Sequence, residues 1–399
     1  MTGKIYSQIV SFIWSIADDE LRDVFVRGKY RDVILPMTVI RRLDAVLEDT
    51  KKEVMEMKKR LDEMEVLNQT EALCSVSGQA FYNDSPFILK DLTSRTKKQQ
   101  LEADFLAYLD GFSPNIQEIL EKFRFREQIK VMTDADVLGD VIEKFVSPRI
   151  NISPNPVLDD NGDILLPGLD NHTMGTVFEE LIRKFNEENN EEAGEQFKPI
   201  ADKISDGTYL CYDGACGTGG MLTIADERLK ELGKKNNKNF SIHLYGQESQ
   251  PETYAIAKAD MILKGDGSQA NNISYGSTLS VDANPTTEFD FMISNPPYGK
   301  SWSSDAKKMG GRNKLTDSRF VVNFGDEEEF RMVPSQSDGQ MLFLANNIAK
   351  MKHSTPLGSR IVQVHNGSSL FTGNAGSGES NLRRYIIEND YLEAIVALP

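Results

Sequence analysis

Two spacings of apolar residues divide the chain. Up to about residue 165 they recur every three or four positions, and beyond 171 short β-rich runs alternate with such stretches. The first spacing marks the buried face of a helix, and the second marks strands. In PMTVIRRLDAVLEDTKKEVMEMKKRLDEM, Val39, Ile40, Leu43, Val46 and Leu47 form one helical face, with Pro36 expected in the first turn. The Lys/Glu-rich continuation predicts a solvated or partner-facing helix. SPNIQEILEKFRF (113–125) and DADVLGDVIEKFV (134–146) predict two more amphipathic helices, each opened by a capping residue. The stretch 147–170, rich in Pro, Asn, Asp and Gly, reads as a linker.

From 171 the chain opens on an amphipathic helix, NHTMGTVFEELIRKFNEEN. Strands are expected at TYLCYD (208–213), SIHLYG (241–246), NNISYG (271–276), FDFMIS (289–294), SRIVQVH (359–365) and YLEAIVAL (391–398). Helical patterns such as MLTIADERLKELG, PETYAIAKADMIL, GQMLFLANNIAKM and SNLRRYIIEND lie between most of them. That alternation predicts an α/β fold, a mostly parallel sheet with helices on both faces. The expected domains are an α-helical one over 1–165 and an α/β one over 166–399.

Composition adds exclusions. No apolar run reaches the ~18 residues of a membrane span. The N-terminus shows neither a basic leader nor a small-residue cleavage site, so no secretory signal is expected. Three cysteines without a CxxC pair and only four histidines predict reduced thiols in a cytoplasm and no structural metal. The formal charge of −16 is not that of a protein that grips nucleic acid unaided.

Ligands of parallel sheets bind beyond the carboxyl ends of strands, and two of these ends are unusual. The first is TYLCYDGACGTGGML, where Asp213 is followed by Gly214, Gly217, Gly219 and Gly220. This G-x-x-G-x-G-G order is neither the dinucleotide fingerprint nor a P-loop, and no basic residue stands nearby for a phosphate. The loop suits an uncharged or cationic nucleoside. The next strand ends at Glu248, an acid placed to accept ribose hydroxyls. The second special end is FDFMISNPPYGK. Asn295 offers an amide oxygen, Pro296 stiffens a turn that can aim backbone carbonyls into a cleft, and Tyr298 offers a stacking face. An amide oxygen beside a carbonyl suits an amino group.

DGACGTGGM followed by NPPY resembles S-adenosylmethionine-dependent methyltransferases acting on adenine in DNA. GTVFEELIRKFNEENNEEAGEQF, YGQES, SDGQMLFL, NGSSLFTGNAGSGESNLRRYIIEND and LEAIVALP bring the resemblance closer to modification subunits of type I restriction–modification systems. It runs over roughly the whole chain and is densest from 171. It implies a Rossmann-like methyltransferase domain and S-adenosyl-L-methionine as cofactor. By the same resemblance, Asp213, Gly214, Ala215, Gly217, Thr218, Gly219 and Gly220 hold the methionine part and Glu248 the ribose. Ser277 and Thr278 lie near the adenine, and Gln196, Phe197 and Pro199 form a further cofactor wall. Asn295, Pro296, Pro297 and Tyr298 carry the catalysis, with the target base flipped out and its amine held by Asn295 and the Pro296 carbonyl. Phe197, Trp302 or Phe320 is expected to close the other face of the base. The implied partners are DNA, a specificity subunit, a second copy of this chain and a restriction subunit, in the cytoplasm and with no membrane.

The sequence departs from this family at Lys198, where Thr is usual, and at Ser277, where an acid is usual. Only eight residues separate Pro199 from Thr208, and the chain stops after an apolar run, so a shortened C-terminus is expected. The basic stretch after NPPY carries Lys300, Lys307, Lys308, Arg312, Lys314 and Arg319 against Asp305 and Asp317, and is expected as an exposed loop that meets nucleic acid. Other planar amines (cytosine N4, RNA adenine, a protein glutamine) and an inactive scaffold of the same fold remain alternative readings.

Overall fold

The structure is a computed structural model that describes residues 2–185, 205–265 and 267–397. Gln196, Phe197, Lys198 and Pro199 lie outside the described residues. Two compact units result, Met1–Asn189 with Pro251–Asn271, and Asn190–Gln250 with Asn272–Pro399.

The first unit is helical. Helix Arg31–Leu47 begins five residues before Pro36, so the proline sits inside it rather than in its first turn. The apolar run Val33–Ile34–Leu35 is fully buried and draws the helix start upstream. The lost bond is the one Pro36 would have donated to the Asp32 carbonyl. Ser113 does precede helix Pro114–Lys122, but its hydroxyl bonds Asn115 instead of capping. The helix expected from Asp134 starts at Leu138, because Asp134 closes the preceding helix Phe125–Asp134 and Asp136 turns the chain at φ +62°.

The expected linker is folded. Val157–Leu158 and Ile164–Leu166 pair antiparallel across a DDNGD turn, where Asp159 Oδ1 accepts N–H bonds from Asn161 and Asp163. Asp and Asn organise such turns through their own side chains. Arg42, almost wholly buried, fastens the segment by donating to the Ile152 carbonyl at 2.6 Å and to Asn171 Oδ1 at 2.9 Å. Burial lowers its guanidinium to about 10. The late helix Pro251–Leu263 joins this unit, with Tyr254 and Lys258 both bonding Glu118.

The second unit is built on five parallel strands: β1 (Gly207–Asp213), β2 (Phe240–Glu248), β3 (Ile273–Tyr275), β4 (Phe291–Ser294) and β5 (Arg360–Gln363). Their order is β3-β2-β1-β4-β5. That is the order of a doubly wound sheet, whose ligands bind where it reverses, between β1 and β4. All four β4 residues are buried, as a strand covered on both faces requires. Asp290 interrupts the apolar run for a reason: its carboxylate accepts from the Leu210 N–H and from Lys352 Nζ. Tyr212 and Phe289 stack at 4.6 Å between centroids.

Two expectations fail here. The apolar run at 391–398 joins no ladder over its described residues, and Leu392, Ile395 and Val396 are exposed. An apolar run becomes a strand only where an edge accepts it. The stretch after NPPY is not a bare loop. It contains helix Ser303–Lys308 and the hairpin Val321–Phe324 with Glu327–Arg331. Trp302 and Phe320 belong to its core, at 2% and 0% exposure, with the indole N–H bonded to the Ser335 carbonyl. Neither ring faces a cleft.

Candidate functional site

The residues that precede and follow the reversal point form one neighbourhood. β1 ends on Asp213 and runs straight into the glycine loop, which ends where helix Gly220–Lys235 begins. Asp213 is buried, and burial pushes its carboxyl up to about 7, although Oδ1 accepts the Ala215 N–H at 2.9 Å. Gly214 is required by close approach: a Cβ there would lie 2.9 Å from the Tyr212 hydroxyl and 3.2 Å from the Thr278 methyl. Gly219 sits at φ +86°, in the left-handed region that favours glycine. The loop is tied sideways to β2, with Cys216 N donating to the Gln247 carbonyl and Gly217 N to Glu248 Oε2 at 3.1 Å. Thr218 is half-buried within it.

Glu248 ends β2 half-exposed, its other oxygen accepting the Gln250 N–H at 2.7 Å. Gly276 follows β3 and donates to the Glu248 carbonyl. Ser277 is half-buried, and Thr278 is buried with its hydroxyl donating to the Gly214 carbonyl at 2.5 Å. The buried amide of Gln247, which lies within YGQES but was given no role of its own, braces the same turn through the carbonyls of Gly276 and Val281. Asp213, Gly214, Ala215, Gly217, Glu248 and Thr278 are thus joined by direct bonds.

β4 lies beside β1 in register, Cys211 with Phe291 and Tyr212 with Met292. Asn295 follows its last residue and is exposed, Pro296 is buried, Pro297 is exposed and Tyr298 is half-buried. The Tyr298 hydroxyl donates to Asn295 Oδ1, which fixes that atom as an acceptor. Burial raises the Tyr298 phenol. Beyond β5, Leu370 and Phe371 stand 54% and 75% exposed. Phe371 follows a short helical turn, Gly367–Leu370, and its exposure is not something periodicity reveals.

The basic stretch divides in two. Arg312 donates to the Pro334 and Val333 carbonyls, and Arg319 is buried. Burial removes Arg319 from the expected nucleic-acid contacts, while Arg312 is half-buried and borders an open concavity. Lys300, Lys307, Lys308 and Lys314 are exposed, and no ion pair holds them among the described residues. An open concavity of about 430 Å³ lies along Gly310–Lys314 and Gln336. Among the described residues, no helix is long and apolar enough to cross a membrane.

Comparison with known proteins adds the lineage. The type I restriction enzyme MjaIX methylase subunit of Methanocaldococcus jannaschii is 26% identical over 404 residues, and the match spans 97% of this chain and 65% of that subunit. The type I restriction enzyme MpnII methylase subunit of Mycoplasma pneumoniae is 26% identical over 243 residues, spanning 57% of this chain and 40% of that subunit. In fold, the chain is similar to a type I restriction-modification system methyltransferase subunit from Streptococcus thermophilus, with a TM-score of 0.64 at 21% identity over 96% of this chain and 79% of that one. The HsdM N-terminal domain profile matches residues 9–145, and the N-6 DNA Methylase profile matches residues 169–399, more than half of the chain. The chain belongs to the N-6 DNA Methylase family.

Proposed function

We propose that this chain transfers a methyl group from S-adenosyl-L-methionine to the exocyclic N6 of adenine in DNA, as the methyltransferase subunit of a type I restriction–modification assembly. One observation carries the reading: the exposed Asn295 follows β4, and the strand beside β4 ends on the Asp213 glycine loop. The loop fits that cofactor. Positions 217 and 220 have no atom within 4 Å of where a side chain would begin, and the nearby ionisable groups are acids. When bound, the cofactor supplies an electrophilic methyl on a sulfonium centre.

The chain's own residues do the rest. Asp213 with Gly214, Ala215, Gly217, Thr218, Gly219 and Gly220 holds the methionine end. Glu248 takes the ribose, since its Oε2 accepts only the Gly217 N–H and keeps a second lone pair. Ser277 and Thr278 border the adenine. The target base leaves the duplex and enters the crevice. Its amine donates to Asn295 Oδ1 and to the Pro296 carbonyl, which draws the nitrogen lone pair out of the ring and orients it. Pro297 keeps the turn rigid and Tyr298 stacks on the base. With Trp302 and Phe320 in the core and Phe197 outside the described residues, Phe371, at 75% exposure the barest of the described Phe, Tyr and Trp rings, is suited to the opposite face. Positioning supplies much of the rate. The four free lysines meet the DNA backbone. Sequence choice falls to a specificity subunit, joined by two copies of this chain and a restriction subunit, in the cytoplasm; an acidic chain needs such help to hold DNA.

The test is a methylation assay with labelled S-adenosylmethionine on duplex DNA, with and without a co-expressed specificity subunit. N6-methyladenine is expected. Label in cytosine, RNA or a protein glutamine would redirect the chemistry, and no label despite cofactor binding would leave a scaffold. Asn295→Ala should abolish transfer while cofactor affinity by calorimetry stays within about twofold, a change of under half a kcal/mol.

A further inference from the structure

Arg319 lies in the basic stretch, yet it is 8% exposed and all five of its N–H donors are satisfied. Nε and Nη2 bond the two oxygens of Asp317 at 3.0 and 2.7 Å. Nη1 bonds the Thr278 carbonyl at 2.7 Å and Asn346 Oδ1 at 3.0 Å, and Nη2 also bonds the Leu279 carbonyl at 3.0 Å. The guanidinium rests on the Phe320 ring, 4.7 Å from its centroid. Two consecutive carbonyls, Thr278 and Leu279, are therefore held from the segment that follows NPPY.

The restraint continues to the cofactor loop. The Thr278 hydroxyl donates to the Gly214 carbonyl, and Ala215 N donates to Asp213 Oδ1. That carbonyl and that N–H are the two ends of one peptide plane. With both ends bonded, the Gly214–Ala215 plane cannot flip, and its orientation sets where the loop's following amides point. We propose that Arg319 is a positioning residue for methyl transfer: it fixes the height of Thr278, and Thr278 locks the Gly214–Ala215 peptide. The segment bearing the four lysines is thereby fastened to the cofactor loop. The proposal rests on reading that loop as the cofactor's. Lysine cannot replace the fork, because its point-like ammonium reaches only some of these acceptors.

The experiment uses the whole chain with Arg319→Lys, Arg319→Met, Thr278→Val and the Arg319→Lys/Thr278→Val double variant. Hydrogen exchange of the 213–220 peptide is followed without ligand, and S-adenosylmethionine affinity is measured by calorimetry. Each single variant should speed loop exchange and weaken affinity about tenfold, because each releases the same bond, Thr278 to the Gly214 carbonyl, that locks the loop peptide. The double variant should be no weaker than the worse single. Peptides of helix Arg31–Leu47 should exchange as in the wild type. Unchanged loop exchange in Arg319→Lys, or multiplied losses in the double variant, would overturn the proposal. If the Arg319 variants unfold, Thr278→Val decides alone, and unchanged loop exchange there refutes it. A wild-type chain that binds no S-adenosylmethionine would sink the cofactor reading instead, and the exchange comparison would still decide the proposal.

Discussion

With Asp213 at the methionine end as proposed, cofactor affinity should depend on pH by an amount set by that residue's carboxyl. Burial raises its carboxyl to about 7 in the ligand-free fold. A cationic ammonium or sulfonium bound beside it favours the carboxylate, so binding and proton release are linked. At pH 6 about a tenth of the molecules carry the charged form, and at pH 8 about nine-tenths do, so affinity should tighten about tenfold, or about 1.4 kcal/mol. Calorimetric titration with S-adenosylmethionine at pH 6, 7 and 8, each in two buffers of different ionisation enthalpy, reads both the affinity and the proton released. Asp213→Asn removes the titration and keeps an oxygen for the Ala215 N–H. The ligand's own amino group titrates against both proteins, so the ratio between them isolates Asp213. A wild-type to Asn ratio that stays flat from pH 6 to 8 would refute the reasoning. Stability follows the opposite sign. A carboxyl raised in the fold contributes stability that is complete below its unfolded value of 3.8 and is lost as pH rises through about 7. The ligand-free Asn variant should therefore melt higher than wild type at pH 8 and gain little at pH 4.

Three further outcomes are expected. Replacing Lys300, Lys307, Lys308 and Lys314 one at a time by Ala, in complex with a specificity subunit, should reduce the log–log salt slope of DNA binding by about 0.9 for each phosphate left without its lysine. Anisotropy titrations between 50 and 200 mM salt, on the order of the range where such slopes are read, check this; unchanged slopes would remove the lysines from the interface. Phe371→Ala should lower kcat/KM by about 1–3 kcal/mol of lost stacking while cofactor binding holds. Arg42→Met strips the buried Ile152 carbonyl of its donor and frees the exposed Asn171 amide oxygen to water, and should cost about 1–3 kcal/mol in urea unfolding, with the loss appearing in the helical unit.

Much of the second unit was legible because parallel strands buried on both faces appear as unbroken apolar runs, as β1 and β4 do, while β2 shows the alternation of a half-buried strand. The joined part of the glycine loop and Glu248 was legible for a related reason: a strand end followed by glycines or an acid has few uses. What escaped depended on contacts distant in sequence. Pro36 reads as a helix start unless the burial of Val33–Leu35 is known. Trp302, Arg312 and Arg319 look like surface groups because their partners at Ser335, Pro334 and Thr278 lie elsewhere in the chain. The hairpin at 157–166 did leave a signal, the DDNGD turn, which the surrounding prolines outweighed. The run at 391–397 shows the converse, an apolar pattern with no edge to receive it.

Two rungs, Cys211 with Phe291 and Tyr212 with Met292, meter the gap between the glycine turn and the amide that follows β4. Sliding one strand by a single residue would displace one motif by about 3.3 Å and reverse every side chain's facing. Buried exchanges at Phe291 or Cys211 should therefore disturb turnover from a distance, without touching any reactant. Anyone seeking a place for a tag or reporter has safer ground at the solvent-washed bend around Asp160–Gly162, where added length leaves that spacing alone.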